Sequence, residues 1–109
     1  MNALSPEAEE YLAALRSERG LADNTVAAYR RDLTQYFAFL DDPDTAADAS
    51  APGFVGRLAT MELAPSTIAR KLAAVRGYHR FLVVEGHAAD DPTILIDTPK
   101  RGRSLPKAL

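Results

Sequence analysis

The feature that most constrains the fold is a repeat of apolar residues at every third or fourth position. It runs through four stretches of the chain, residues 6–19, 24–41, 52–61 and 66–85. In the second stretch the repeat consists of Val26, Tyr29, Leu33, Phe37 and Leu40. This spacing places the apolar side chains on one face of an α-helix. The pattern therefore predicts an all-α fold with four main helices, each burying one stripe.

Shorter signals mark the ends of the helices. Asp23 or Asn24 is predicted to cap the second helix, because a short polar side chain accepts hydrogen bonds from the first turn. "DDPTILI" predicts a short fifth helix, with Asp91 as its cap. Residues 43–53, "PDTAADASAPG", are small, polar and acidic, and predict a flexible loop. We expect a domain at residues 1–97 and a basic, proline-punctuated linker at residues 98–109.

The composition excludes several classes of protein. The chain has no cysteine, so it holds neither a disulfide nor a thiolate metal site. No run of about 18 apolar residues exists that would span a membrane. The first residues have neither the basic region nor the apolar core of a signal peptide. We therefore expect a cytoplasmic protein without a membrane partner.

The charges are unevenly distributed along the chain. The formal net charge is -2, but residues 1–53 carry -6 and residues 54–109 carry +4. "STIARKLAAVRGYHR", residues 66–80, contains four basic residues and no acid. Small residues beside Arg70 on this helix would allow close approach to a polyanion, and arginine can form a forked contact with guanine. A merely solvated basic face is the alternative interpretation.

The sequence offers no catalytic constellation. His79 lies on the apolar face of the fourth helix and is predicted to be a packed core histidine, and His87 is expected at the surface. The acid pairs at residues 41–42 and 90–91 stand beside prolines, where capping and turn formation explain them. No phosphate-binding glycine loop or metal-ligand spacing is present. We predict no catalytic residue, metal or cofactor in this chain.

Two long segments, "ERGLADNTVAAYRRDLTQYFAFL" and "LAPSTIARKLAAVRGYHRFLVVEGHAADDPTILIDTPKRGRSLPKAL", together resemble the N-terminal, SAM-like core-binding domain of Xer-type tyrosine recombinases and phage integrases. The resemblance implies two crossed helical hairpins and a short C-terminal helix. It also implies a clamp on one side of a recombination site, with the chemistry in a separate C-terminal domain. The four tyrosines of this chain match no catalytic position. The fragment is therefore expected to bind DNA without cutting it, within a DNA-breaking and rejoining enzyme.

The resemblance also implies which residues face DNA. Arg70 is expected to read a base, Lys71 to contact a phosphate, and Arg30 to reach a phosphate. Tyr29 and Leu33 are expected to face the core, and Asp32 to form a local ion pair. The complete implied DNA-facing set is Asn24, Thr25, Ala28, Arg30 and Arg31 on the second helix, and Ser66, Thr67, Arg70, Lys71 and Ala74 on the fourth.

The expected partner is a double-stranded DNA recombination site. The resemblance implies a tetramer of protomers on DNA for the full-length protein and a monomer for the isolated domain. It leaves open whether the role is chromosome-dimer resolution, which serves chromosome partition and cell division, or integration of a mobile element. Two other interpretations remain at this point. One is a helix-turn-helix regulator, and the other is a helical module whose basic face binds an acidic protein.

Overall fold

The computed structural model describes residues 4–94 and residue 96. It contains helices α1 (Pro6–Ser17), α2 (Asp23–Asp41), α3 (Ala51–Thr60) and α4 (Pro65–Val84), with a 3-10 helix at Pro43–Asp48 between α2 and α3. Across these residues there is no strand, and the predicted all-α fold is confirmed. The predicted linker at residues 98–109 lies outside the described residues.

The helices form two consecutive pairs that meet through their longer members. α1 packs on α2, and α3 packs on α4. The most extensive contact in the molecule joins α2 to α4, and α4 also touches α1. Both long helices therefore have neighbours on more than one side, and each buries a wider arc than a single stripe.

Two clusters of apolar side chains form the core. The first is Ala8, Tyr11, Leu12, Leu15, Val26, Leu33 and Tyr78, and it joins α1 to α2 and α4. The second is Tyr36, Phe39, Ala51, Phe54, Leu58, Leu72 and Val75, and it joins α2 and α4 to α3. Phe37 packs against both clusters and connects them.

The helices begin in two different ways. Ser5 caps α1 and Ser50 caps α3, each through a side-chain oxygen that accepts a first-turn N–H. α2 and α4 begin after Ala22 and Ala64, without a side-chain cap. The prediction that Asp23 or Asn24 caps α2 is wrong, because both lie inside its first turn.

The segment after α2 is more regular than its composition suggests. The Asp42 carboxylate accepts a hydrogen bond from the backbone N–H of Asp44 at 2.9 Å, and the Thr45 hydroxyl donates to the carbonyl of Phe39 at 2.7 Å. These local bonds, with Pro43 at the first position, set up the 3-10 helix. The loop predicted at residues 43–53 is therefore replaced by a 3-10 helix at Pro43–Asp48, and α3 already begins at Ala51.

The predicted fifth helix is absent from the described residues, where residues 92–94 form a turn. The Asp91 carboxylate accepts hydrogen bonds from both the N–H and the hydroxyl of Thr93, so it caps a turn instead of a helix. Arg76 of α4 donates to the backbone carbonyls of Thr93 and Ile96. The Thr93 carbonyl also accepts a hydrogen bond from the backbone N–H of Ile96 at 3.1 Å, so this turn is held both by its own backbone and by α4.

Candidate nucleic-acid interface

A buried carboxylate lies where α2 meets α4. Asp32 has no exposed surface. Its Oδ2 accepts a hydrogen bond from Nε of Arg70 at 2.9 Å, and its Oδ1 accepts from Nη2 of Arg70 at 2.8 Å and from Nζ of Lys71 at 3.0 Å. Three charged N–H donors offset the cost of burying this charge. The predicted ion pair of Asp32 is present, but its partners lie on another helix and not nearby in the sequence.

Lys71 points into this contact. Its ammonium also donates to Oε1 of Gln35 at 2.6 Å, so two of its three N–H groups are bonded to α2. Only 13% of its side chain is exposed. We call the group formed by Asp32, Gln35, Arg70 and Lys71 the α2–α4 junction.

Arg70 is held differently from Lys71. One edge of its guanidinium, Nε and Nη2, is bonded to Asp32. Its Nη1 makes no hydrogen bond within the described part of the chain and is open to solvent. The side chain is 39% exposed. The bond to Asp32 raises the pKa of Arg70, so the guanidinium keeps its charge.

Polar and basic groups continue outward from the junction. Asn24 and Arg31 are exposed and lie on the same side of α2 as Gln35, at helical spacing. Arg31 makes no hydrogen bond or ion pair within residues 4–94. On α4, Ser66 is exposed and shares a face with Arg70. Thr25 and Thr67, at the starts of α2 and α4, are half-buried.

Arg30 is exposed but paired. Its Nη1 and Nη2 donate to the two carboxylate oxygens of Glu9 on α1, at 2.6 and 2.8 Å. This forked contact lowers the pKa of Glu9 and raises the pKa of Arg30. Reaching a phosphate would require Arg30 to share or leave this bond.

Two residues expected to face DNA are inside the protein. Ala28 is 8% exposed and Ala74 is 0% exposed. The prediction that they lie on outward faces is wrong, because α2 and α4 each pack against several helices. Gly77, one turn after Ala74, lies against α1, since a Cβ there would stand 2.1 Å from the hydroxyl oxygen of Tyr11. At Gly77, therefore, the missing side chain makes room for α1 and not for DNA.

The basic segment of α4, residues 66–80, contains no acid, and its acidic partner lies on α2. Of its four cations, Arg70 and Lys71 bond to Asp32, and Arg76 holds the segment after α4. Arg80 is exposed and unpaired within the described residues. Sequence reasoning missed the central role of Asp32. The available signal was its spacing, three residues after Tyr29 and four before Tyr36, which puts a carboxylate on the apolar side of α2.

Comparison with known families identifies the chain. The profile of the family described as "Phage integrase, N-terminal SAM-like domain" matches residues 8–86. The chain belongs to this family. The match covers α1 from residue 8 and the whole of α2, α3 and α4 of the integrase SAM-like domain, including the α2–α4 junction. No solved structure matches the chain.

Similar whole proteins are tyrosine recombinases. The chain is 37% identical to tyrosine recombinase XerD of Oceanobacillus iheyensis and 41% identical to XerD of Staphylococcus saprophyticus, over 93% of this chain and 36% of each relative. It is 47% identical to tyrosine recombinase XerC of Erythrobacter litoralis, over 93% of this chain and 32% of that protein. The chain thus spans about a third of the length of these curated relatives.

The titratable side chains inside this SAM-like domain have packing roles. The Tyr36 hydroxyl lies 2.8 Å from Nε2 of half-buried His79, as expected for a packed core histidine. Burial lowers the pKa of His79 and raises the pKa of Tyr36 to about 12. The part of the chain that the structure describes contains no cluster of three or more metal-ligating side chains. None of its helices is long and apolar enough to cross a membrane.

Proposed function

We propose that this domain binds double-stranded DNA through the α2–α4 junction and the exposed residues beside it. The observation that carries the proposal is the concentration of cations at the junction. Arg70 presents a free guanidinium edge and Arg31 is unpaired within the described chain, while one buried carboxylate offsets only part of the positive charge. Phosphates supply the negative charge that such a surface attracts.

The starts of α2 and α4 support the same proposal. Neither helix has a side-chain cap, so the backbone N–H groups at residues 23–25 of α2 and at Ser66 of α4 stay available to phosphate oxygens, while the N–H of Thr67 is bonded to the carbonyl of Ala64. Hydroxyl and amide side chains surround these N–H groups and can add contacts to the DNA backbone. The proposed contact residues are Asn24, Thr25 and Arg31 of α2, and Ser66, Thr67 and Arg70 of α4, with Arg30 at the margin and Lys71 contributing its charge.

The relatives suggest the larger process. Because they are named tyrosine recombinases, we propose that this domain clamps one side of a recombination site within such an enzyme. A separate catalytic domain would then exchange the strands, in a tetramer of protomers on DNA. The process is chromosome-dimer resolution or integration, and with DNA as partner its place is the cytoplasm.

A salt titration tests the proposal. The domain is mixed with a mixed-sequence DNA duplex of about 30 base pairs, and fluorescence anisotropy gives the dissociation constant at several salt concentrations. We expect micromolar or weaker binding at physiological salt, close to the non-specific range, because half a clamp surrounds the DNA incompletely. Phosphate contacts impose a steep salt dependence. A helical module that binds an acidic protein would bind its partner but not the duplex.

Arg31→Ala provides the residue-level test, with Arg19→Ala as its control. Each substitution removes one exposed arginine, but Arg19 lies beside the C-terminal end of α4, away from the junction. Arg31→Ala should reduce the salt slope by about one unit, and Arg19→Ala should leave it unchanged. Equal effects of the two substitutions, or binding without salt dependence, would contradict the proposed surface.

A further inference from the structure

We propose that Asp32 is a positioning residue that holds Arg70 by one edge so that its opposite edge reads a base. This inference rests on the proposed function, because it assumes that DNA meets the α2–α4 junction. It assigns the buried carboxylate a part in sequence recognition without any contact between that carboxylate and DNA.

The hydrogen-bond pattern supports this role. Asp32 occupies Nε and Nη2 of Arg70, and leaves both hydrogens of Nη1 and the second hydrogen of Nη2 unused. Those hydrogens form the end-on fork of the guanidinium, which matches the O6 and N7 acceptors of guanine. A guanidinium that is already fixed loses less conformational entropy when it makes this contact.

Because Asp32 is buried, its carboxylate can hold the Arg70 guanidinium in a fixed position. The carboxylate has no exposed surface and sits on a helix packed against three others, so it cannot follow a moving arginine. Lys71 brings a second positive charge to the same Oδ1 atom, and its ammonium also donates a hydrogen bond to Gln35. Lys71 therefore stabilises the buried carboxylate. In place of the phosphate contact predicted from the sequence, we propose that Lys71 attracts DNA only through its positive charge.

Nuclear magnetic resonance of the arginine Nε–H groups tests the holding step without DNA. In the unaltered domain, Arg70 should give a resonance that exchanges slowly with water, because its Nε–H is bonded to a buried acceptor. The signal is assigned by its loss in Arg70→Ala. Asp32→Asn should restore fast exchange of this one signal. An Arg70 Nε–H that exchanges as fast as that of exposed Arg31 would overturn the inference.

The reading step is tested by selection from a randomised DNA duplex library at low salt. The proteins are the unaltered domain, Asp32→Asn, Arg70→Ala and the double variant. Arg70→Ala should reduce the preference at one base pair by roughly tenfold. Asp32→Asn should reduce the preference at the same base pair, and the double variant should lose no more than Arg70→Ala alone. Additive losses, or losses at different base pairs, would overturn the inference.

Affinity for a mixed-sequence duplex separates positioning from simple stabilisation. Asp32→Asn removes a negative charge, so its mixed-sequence affinity should stay equal or rise while its preference falls. A loss of both together, with folding retained, would indicate a merely structural residue and contradict positioning.

If Asp32→Asn does not fold, Arg70→Lys serves instead. It keeps the positive charge but lacks the guanidinium fork, so its preference at that base pair should fall more than its mixed-sequence affinity does. Retained preference would overturn the inference.

The outcomes also separate this inference from the proposed function. If the unaltered domain fails to bind any duplex, the proposed function is wrong and the inference falls with it. If the domain binds with the expected salt slope but Asp32 and Arg70 act independently, only the inference is wrong.

Discussion

At the scale of single residues, Gly77 shows how tightly α1 sits on α4. Glycine inside a helix costs about 0.5–1 kcal/mol relative to alanine. A Cβ at this position would nevertheless lie 2.1 Å from the hydroxyl oxygen of Tyr11, a residue that is 5% exposed and belongs to the first core cluster. We expect Gly77→Ala to reduce the free energy of unfolding by about 1–3 kcal/mol, measured by urea denaturation.

The control for Gly77 is Gly56, which lies in helix α3. A Cβ at Gly56 would meet no atom within 4 Å, so Gly56→Ala should stabilise the domain by about 0.5–1 kcal/mol. Combining Gly77→Ala with Tyr11→Phe removes the nearest clashing oxygen and should restore part of the lost stability. Equal stability of the Gly77→Ala and Gly56→Ala variants would show that Tyr11 moves away at no cost.

Residues such as Ala74 mark the limit of what a helical pattern can predict. The repeat correctly identified Val26 and Leu33 of α2 as buried. It failed for Ala28 and Ala74, because periodicity finds the largest apolar stripe but not a second buried face lined by small side chains. Small residues are compatible with a helix packed nearby as well as with DNA. Only the position of a neighbouring helix separates the two cases.

At the scale of elements, capping distinguishes the two kinds of helix start. The Ser5 hydroxyl accepts a hydrogen bond from the N–H of Ala8 at 3.2 Å, whereas the exposed Ser66 of α4 caps nothing. Ser5→Ala should reduce the free energy of unfolding by about 1 kcal/mol, and Ser66→Ala should change it by less than about 0.5 kcal/mol. Thermal unfolding followed by circular dichroism gives both values. A larger loss for Ser66→Ala would indicate that α4 depends on a cap.

The elements themselves were more predictable than their ends. Four helices follow from the apolar repeat, and all four are present. The ends depend on single hydrogen bonds, and a polar residue near a helix start can bond elsewhere. Asp23 pairs with Arg16 at 2.9 Å instead of capping α2, and Asp91 closes a turn. Such competition between nearby partners is decided by the folded geometry.

At the scale of the whole molecule, the contact between Tyr36 and His79 makes the free energy of unfolding depend on pH. The Tyr36 hydroxyl and Nε2 of His79 are 2.8 Å apart, which fits a neutral imidazole whose Nε2 accepts a hydrogen bond from the hydroxyl. Burial lowers the pKa of His79 from its usual 6.5, and the nearby Asp91 carboxylate only partly opposes this. The unfolded chain therefore binds more protons than the folded one as the solution becomes acidic.

We therefore expect the free energy of unfolding to decrease as the pH falls from 7 to about 5, a window in which the unfolded histidine becomes charged. Urea denaturation at several pH values measures it. His79→Gln should flatten the dependence, and His87→Gln, which changes an exposed histidine, should keep it. Glu9, with its lowered pKa, contributes only at lower pH. A dependence that survives His79→Gln would assign the effect to other groups.

The shared carboxylate of Asp32 has a consequence for how such a protein can evolve. Two cations on adjacent positions of α4 satisfy the same buried acid. If position 70 mutates, Lys71 still neutralises Asp32, so the fold escapes the penalty of an unpaired buried charge. If Arg70 reads a base as we propose, a lineage can exchange the side chain at position 70 when its target site changes, while Lys71 keeps Asp32 paired. Position 70 can therefore tolerate substitution because Lys71 provides a second ion pair to Asp32.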